Sequence, residues 1–144
     1  MKILYTDEMN CCLSYEFFTL VAEAVFNELN MNNNEYEISL LITDDETIRK
    51  YNKYYRHKDR VTDVLSFPME DEIMLGDIAV SFDTAKRQAE EAGINVDRET
   101  AFLFIHGLLH LLGYDHETSQ EDEEEMFALQ EKILKKLIDY GTVS

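Results

Sequence analysis

At 144 residues, with 45% hydrophobic and 30% charged side chains, the chain has the length and composition of one soluble globular domain spanning 1–144. One proline and five glycines exclude collagen-like or low-complexity character. A net charge of −17, taken whole, argues against a nucleic-acid partner.

The distribution of charge changes that reading. Six of the 13 basic residues fall within 49–60, namely Arg49, Lys50, Lys53, Arg56, Lys58 and Arg60, against the single acid Asp59. The stretch carries +5 and the remainder −22. Local potential decides where an anion docks, although a charge run is also what a solvated helix face looks like.

The elements follow in chain order. Residues 2–5 read as a short strand. Residues 1–8 contain no apolar core of a signal peptide, and no apolar run reaches the ~18 residues of a membrane span, so the expected location is the cytoplasm. Cys11 and Cys12 are adjacent and too few for a disulfide framework, which fits a reducing compartment. Ser14 caps a helix to about 30, with Phe17, Phe18, Val21, Ala24, Val25 and Leu29 at helical spacing. The asparagine-rich 30–34 is a turn, and 36–42 is a buried strand. Thr43 with Glu46 forms a capping box opening a helix to about Tyr55. Strands are expected at 64–67, stopped by Pro68, and at 78–82, preceded by Gly76 and a turn residue, Asp77. Asp83 caps a helix ending at Gly93, and Asp97 caps one running to Gly113. Thr118 with Glu121 opens a last helix to about Tyr140, whose acidic run 121–125 complements the dipole. The order β-α-β-α-β-β-α-α-α predicts an α/β (α+β) fold: one small mixed sheet with helices packed on it, and the histidine segment in a C-terminal helical layer.

That segment, His106-Gly-Leu-Leu-His110-Leu-Leu-Gly113-Tyr-Asp-His116, carries the chemistry. His106 and His110 are one turn apart, about 6 Å along a helix axis, so two imidazoles can converge on one ion. Gly113 ends the helix in a left-handed conformation and lets the chain return His116 to the same ion. Leu108, Leu109, Leu111 and Leu112 back the site with apolar surface. Three neutral nitrogen ligands leave a fourth position open, the arrangement of a catalytic zinc, although copper, nickel and iron also accept three imidazoles. The spacing matches the metzincin signature except at its second position, where Gly107 replaces the glutamate base. A zinc peptidase therefore keeps only a remote place. Asp115 suits a hydrogen bond to a ligand histidine.

The pattern His-Gly-x-Leu-His-Leu-x-Gly-Tyr-Asp-His resembles the YbeY family of bacterial rRNA-maturation endoribonucleases. Two further blocks agree: Tyr55-Arg56-His57-Lys58-Asp59-Arg60-Val61-Thr62-Asp63-Val64-Leu65-Ser66-Phe67-Pro68, and Leu75-Gly76-Asp77-Ile78. The resemblance spans nearly the whole chain. It implies a metal-dependent endoribonuclease for single-stranded RNA, acting in 16S rRNA 3′-end maturation and ribosome quality control. It carries His106, His110 and His116 over as ligands of one zinc per chain, and Arg56 as the functional arginine. It implies partners in the ribosomal small subunit, including small-subunit protein S11 and the Era GTPase, and no membrane.

The residues support that chemistry. Zinc lowers the pKa of a bound water to about 7, so no glutamate base is needed at neutral pH. A guanidinium at Arg56 is shaped to clamp phosphoryl oxygens, and Lys53, Lys58 and Arg60 are candidates to hold the RNA backbone. Attack by water or by the RNA 2′-hydroxyl stays open. The competing reading is a ribosome-assembly factor whose zinc is mainly structural. His57 reads as solvent-exposed, Thr62 and Asp63 as loop-fixing, and Phe102 and Phe104 as core.

Overall fold

The computed structural model describes residues 1–32, 35–114 and 119–144. Its element order is β1 (Lys2–Asp7), α1 (Tyr15–Glu28), β2 (Glu37–Thr43), α2 (Asp45–Arg56), β3 (Val64–Pro68), β4 (Met74–Ser81), α3 (Phe82–Ala92), α4 (Val96–Leu111) and α5 (Gln120–Asp139). This is the predicted order and an α/β fold with one mixed sheet. The strands lie β1-β2-β4-β3, with β1, β2 and β4 parallel and β3 antiparallel at the edge.

Side-chain alternation divides the sheet into two unlike faces. Ile3, Ile38, Leu40, Ile42, Ile78 and Val80 belong to the main core, with Phe18, Val21, Val25 and Phe26 of α1 and Phe104, Ile105, Leu108 and Leu109 of α4. Phe18 meets Phe104 edge-on at 5.3 Å between ring centroids, a geometry that adds to area burial. Fully burying each such side chain contributes roughly 1.5–3 kcal/mol, and α4 collects the most of them. Its position in the middle of the helical layer, against β3, β4, α1, α3 and α5, follows from that. The opposite face holds a small cluster of Ile48 from α2 with Leu65 and Ala79. One amphipathic helix covers that side.

Four of the five helix starts differ from the expected ones by one or two residues. Ser14 caps α1 as expected, accepting from the Phe17 amide. Asp44, not Thr43, caps α2, accepting from the Thr47 amide. Thr43 ends β2 instead, and its hydroxyl donates to Glu8 at 2.8 Å. Ser81, not Asp83, caps α3; Phe82 is therefore helical, and the Asp83 carboxylate accepts from the Asp45 amide. Asn95 precedes α4, while Asp97 accepts from the amide and hydroxyl of Ser144 and ties down the C-terminal end. Ser119 caps α5; Thr118 lies outside the described residues, as do Asn33 and Asn34 of the expected turn. Asp77 is a residue of β4, not of a turn before it. Cys11 and Cys12 are free thiols, the first buried and the second exposed. No helix among the described residues is long and apolar enough to cross a membrane.

Candidate functional site

The leucine-rich sequence of α4 buries Leu103, Phe104, Ile105, Gly107, Leu108, Leu109 and Leu111 and leaves His106 and His110 at the margin of the layer. Both imidazoles are partly exposed, on one side of the helix and one turn apart. Gly113 then takes φ +102°, a region open to glycine, and the helix stops as the sequence predicts.

His106 opens into a cleft of about 300 Å³ lined by Asp63, Val64, Phe102, Leu103, Glu123, Met126, Phe127 and Gln130. Three elements converge there. From α5 comes Gln130, 4% exposed, whose carboxamide oxygen lies 3.3 Å from His106 Nδ1. When Nδ1 donates that hydrogen bond, Nε2 is the unprotonated nitrogen and carries the lone pair a metal needs. Ahead of β3 comes Asp63. One carboxylate oxygen accepts from the Val64 amide at 2.8 Å and from the Thr62 hydroxyl at 3.4 Å, and the other from the Gln88 amide group at 3.4 Å. Thr62 and Asp63 thus fix this loop as expected. Phe102 and Phe127 form an edge-on pair, 6.2 Å between centroids.

Gly107 faces the other way. A Cβ at this position would meet Ile78 Cγ2 of β4 at 2.9 Å. The residue after the first histidine is sealed against the sheet and has no room for a glutamate. Glu99, two turns before His106, is pushed up from its ordinary carboxyl range by burial first and by the Asp63 carboxylate second.

The predicted residues divide into three groups. His106 and His110 share one helix side. His116 and Asp115 lie outside the described residues. Arg56 is the last residue of α2 and is exposed. It is not among the described residues that line the His106 cleft. The loop between them runs from His57, exposed with φ +59°, to Asp63 on the cleft wall. Buried Asn52 straps that loop to α2, donating to the Arg60 carbonyl at 3.0 Å and accepting at its own carbonyl from the Lys58 amide at 3.2 Å. Arg49 pairs with Asp59 at 2.7 Å and Lys50 with Glu46 at 3.6 Å. Gln130, Glu123, Phe127 and Gln88 went unnoticed in the sequence as site residues. Only the acidic run around Glu123 had a local signal, and it pointed to the helix dipole.

The donor chemistry fits a borderline metal ion: two imidazoles one turn apart, with a buried carboxamide orienting the first. Fold and cleft together define an α/β protein with a helix-borne histidine pair beside an acidic and aromatic cleft. Residues 7–138 match the family described as Endoribonuclease YbeY. A curated relative of that name from Sulfurihydrogenibium is 48% identical over 141 residues, covering 94% of this chain and 89% of its own. The Nautilia profundicola relative is 50% identical over 125 residues, with 85% of each chain covered. A Bacillus cereus relative is 47% identical, covering 83% and 86%. The solution structure of a Thermotoga maritima protein superposes with a TM-score of 0.68 at 26% identity, over 97% of this chain and 92% of that one. The chain belongs to the YbeY endoribonuclease family.

Proposed function

We propose that the protein is a zinc-dependent endoribonuclease for single-stranded RNA, acting at the 3′ end of the 16S rRNA precursor, in the cytoplasm and in contact with the small ribosomal subunit. Family membership supports RNA as substrate. The observation that carries the site is His106, oriented by Gln130 at the wall of an open cleft.

In this reading His106, His110 and His116 hold one zinc ion. The ion, when bound, supplies Lewis acidity toward a phosphoryl oxygen and lowers the pKa of a water. The chain's own residues bind and orient the substrate. The guanidinium of Arg56 takes a bidentate grip on phosphate oxygens and stabilises charge developing there. Lys53, Lys58 and Arg60 hold the flanking backbone, which makes binding salt-dependent. Asp63, pinned by its hydrogen bonds to Thr62, Val64 and Gln88, keeps the β3 wall of the cleft in place. Asp115 is assigned to orienting a ligand histidine. The sealed position 107 supports RNA over peptide chemistry, because a peptidase of this signature needs its glutamate there.

The test is cleavage of a labelled single-stranded RNA by zinc-loaded wild type, His106→Ala and Arg56→Ala, with a casein-type protein in parallel. Wild type is expected to cut the RNA and spare the protein, with both variants slowed by about 100-fold or more, as for loss of a charge-stabilising group. Intact RNA with wild type, or variants as fast as wild type, overturns the nuclease reading. Cleavage of the protein overturns the substrate assignment. Metal analysis of untagged protein is expected to give one zinc per chain.

A further inference from the structure

The sheet face opposite the histidine helix is only half covered. Across all four strands runs one register row, Leu4, Ser39, Asp77 and Phe67. The next row, Thr6, Leu41, Ala79 and Leu65, contributes Ala79 and Leu65 to the cluster with Ile48 of α2, with Leu41 packed against it. The first row lies beside the end of that helix, uncovered enough to leave Leu4 46% exposed. Between this row and α2 sits a cavity of about 360 Å³, lined by Ser39, Leu41, Tyr51, Tyr55, Phe67, Asp77, Ile78 and Ala79.

Its rim is aromatic. Tyr55 lies 5.2 Å from Phe67 and 4.8 Å from Tyr54, centroid to centroid, and 6.2 Å from Tyr51. Tyr54 is 75% exposed and Tyr55 59%. Large aromatics this open on the surface of an isolated domain need a reason. The same turn-and-loop segment carries Lys53, Arg56, Lys58 and Arg60, the concentrated positive charge of an otherwise acidic chain. An open sheet face with aromatic rings and flanking cations is how single-stranded nucleic acids are held: bases stack on the rings and the cations track the phosphates.

We infer that this cavity is a nucleobase-binding subsite, in which Tyr55 and Phe67 stack a base of single-stranded RNA and Ser39 and Asp77 meet its edge. The inference rests on the nuclease reading above and adds a second contact for that substrate. Asp77 accepts hydrogen bonds only, so the base it suits carries adjacent N–H donors on its edge, as unpaired guanine does. The two clefts adjoin through the edge strand. Val64 lines the histidine cleft and Phe67 the aromatic one, three residues apart on β3, about 10 Å at 3.3 Å per residue. An RNA strand wrapping the β3 edge reaches both, and no further strand among the described residues blocks its way there. A protein segment fits the charge less well, since the cations around the rim repel the basic peptides that Asp77 would attract.

The experiment measures binding of short single-stranded RNA to the full-length zinc-loaded chain, with one guanine intact or replaced by an abasic residue. The probes are fluorescence anisotropy and an indole introduced by Tyr55→Trp, unique because the chain has no tryptophan. Removing one stack is expected to cost about ten-fold in affinity. Tyr55→Leu therefore weakens the intact RNA about ten-fold and the abasic RNA hardly at all. Tyr55→Phe retains affinity, and the emission of the Tyr55→Trp variant is quenched by the intact RNA only. Asp77→Asn is expected to narrow the preference for guanine over uracil. Equal affinity of wild type and Tyr55→Leu for the intact RNA, at equal melting temperature, overturns the subsite. So does equal weakening of both RNAs. If wild type cuts RNA while Tyr55→Leu binds it unchanged, only the subsite fails. If wild type binds no single-stranded RNA, the nuclease reading fails with it.

Discussion

Gln130 of α5 places its carboxamide oxygen 3.3 Å from Nδ1 of His106 on α4, a polar link between two helices that also pack through apolar side chains. A buried amide enclosed in a core costs free energy unless its hydrogen bond is made. With Nδ1 as the donor in this bond, Nε2 is unprotonated and able to bind a metal. Removing such a partner typically costs about 10–100-fold in metal affinity. Gln130→Leu is therefore expected to weaken zinc binding by about that factor, measured by competition with a chromophoric chelator. Gln130→Glu, which puts a carboxylate behind the histidine, is expected to restore or tighten it. Equal affinities across wild type and both variants, at matched folding, would sink the role assigned to Gln130.

The Gly107 prediction turns on two opposed magnitudes. Alanine is better than glycine inside a helix by about 1 kcal/mol. The added Cβ would stand 2.9 Å from Ile78 Cγ2, on a β-branched side chain that is 1% exposed. Overpacking of that kind costs typically about 1–3 kcal/mol. Gly107→Ala is expected to lose net stability and melt about 3 °C lower, from the usual dependence of Tm on stability for a domain near this size. In an Ile78→Ala background the same substitution is expected to raise Tm, because the clash is gone and the propensity gain remains. A gain in the wild-type background would show that α4 shifts freely over β4.

Much of this architecture is legible in the sequence because hydrophobic period and strand composition act locally. Every helix and strand was readable in order. The helix starts were less so, because several capable side chains compete within two residues: Asp44 displaces Thr43, whose hydroxyl is drawn to Glu8, and Ser81 displaces Asp83. The histidine pair was legible from its spacing, which is a property of one helix. The partners of that pair were not. Gln130 is 24 residues from His106, and nothing in its own neighbourhood distinguishes it from any polar helix residue. The aromatic cavity was hidden for a related reason. Tyr51 and Tyr55 share a helix side, but Phe67 and Asp77 join them only through strand register.

Glu28 makes stability depend on pH at the other side of the molecule. It ends α1, and its nearly buried carboxylate accepts from Lys132 at 2.7 Å and from Lys136, both of α5. The Lys132 hydrogen bond first, and then that of Lys136, hold it below its ordinary value of 4.5. A carboxyl with a lower pKa folded than unfolded stabilises the fold in its ionised form. The contribution is fully present above about pH 4.5 and is lost as pH falls through the folded pKa. Glu28→Gln is expected to lower Tm at pH 7 and to match wild type in strong acid. A constant difference across that range would assign the effect to packing.

Glu99 has the opposite sign, and the contrast makes a sharper test. Burial and the Asp63 carboxylate raise its pKa above 4.5, so the folded state prefers the protonated form. Stability from that proton is present below pH 4.5 and is lost as pH rises through the folded pKa. Once ionised, the Glu99 carboxylate is disfavoured in the folded state by its burial and by Asp63. Glu99→Gln keeps the shape and removes the charge. It is expected to raise Tm at pH 7 and to converge on wild type below pH 4.5, where both side chains are neutral. Asp63→Asn is expected to reduce the benefit, since it removes the repelling partner, though it leaves the burial penalty on Glu99. A thermal scan of wild type, both single variants and the double variant at neutral and acid pH measures the coupling directly. Additive effects of the two substitutions at pH 7 would mean that Glu99 is destabilised by burial alone.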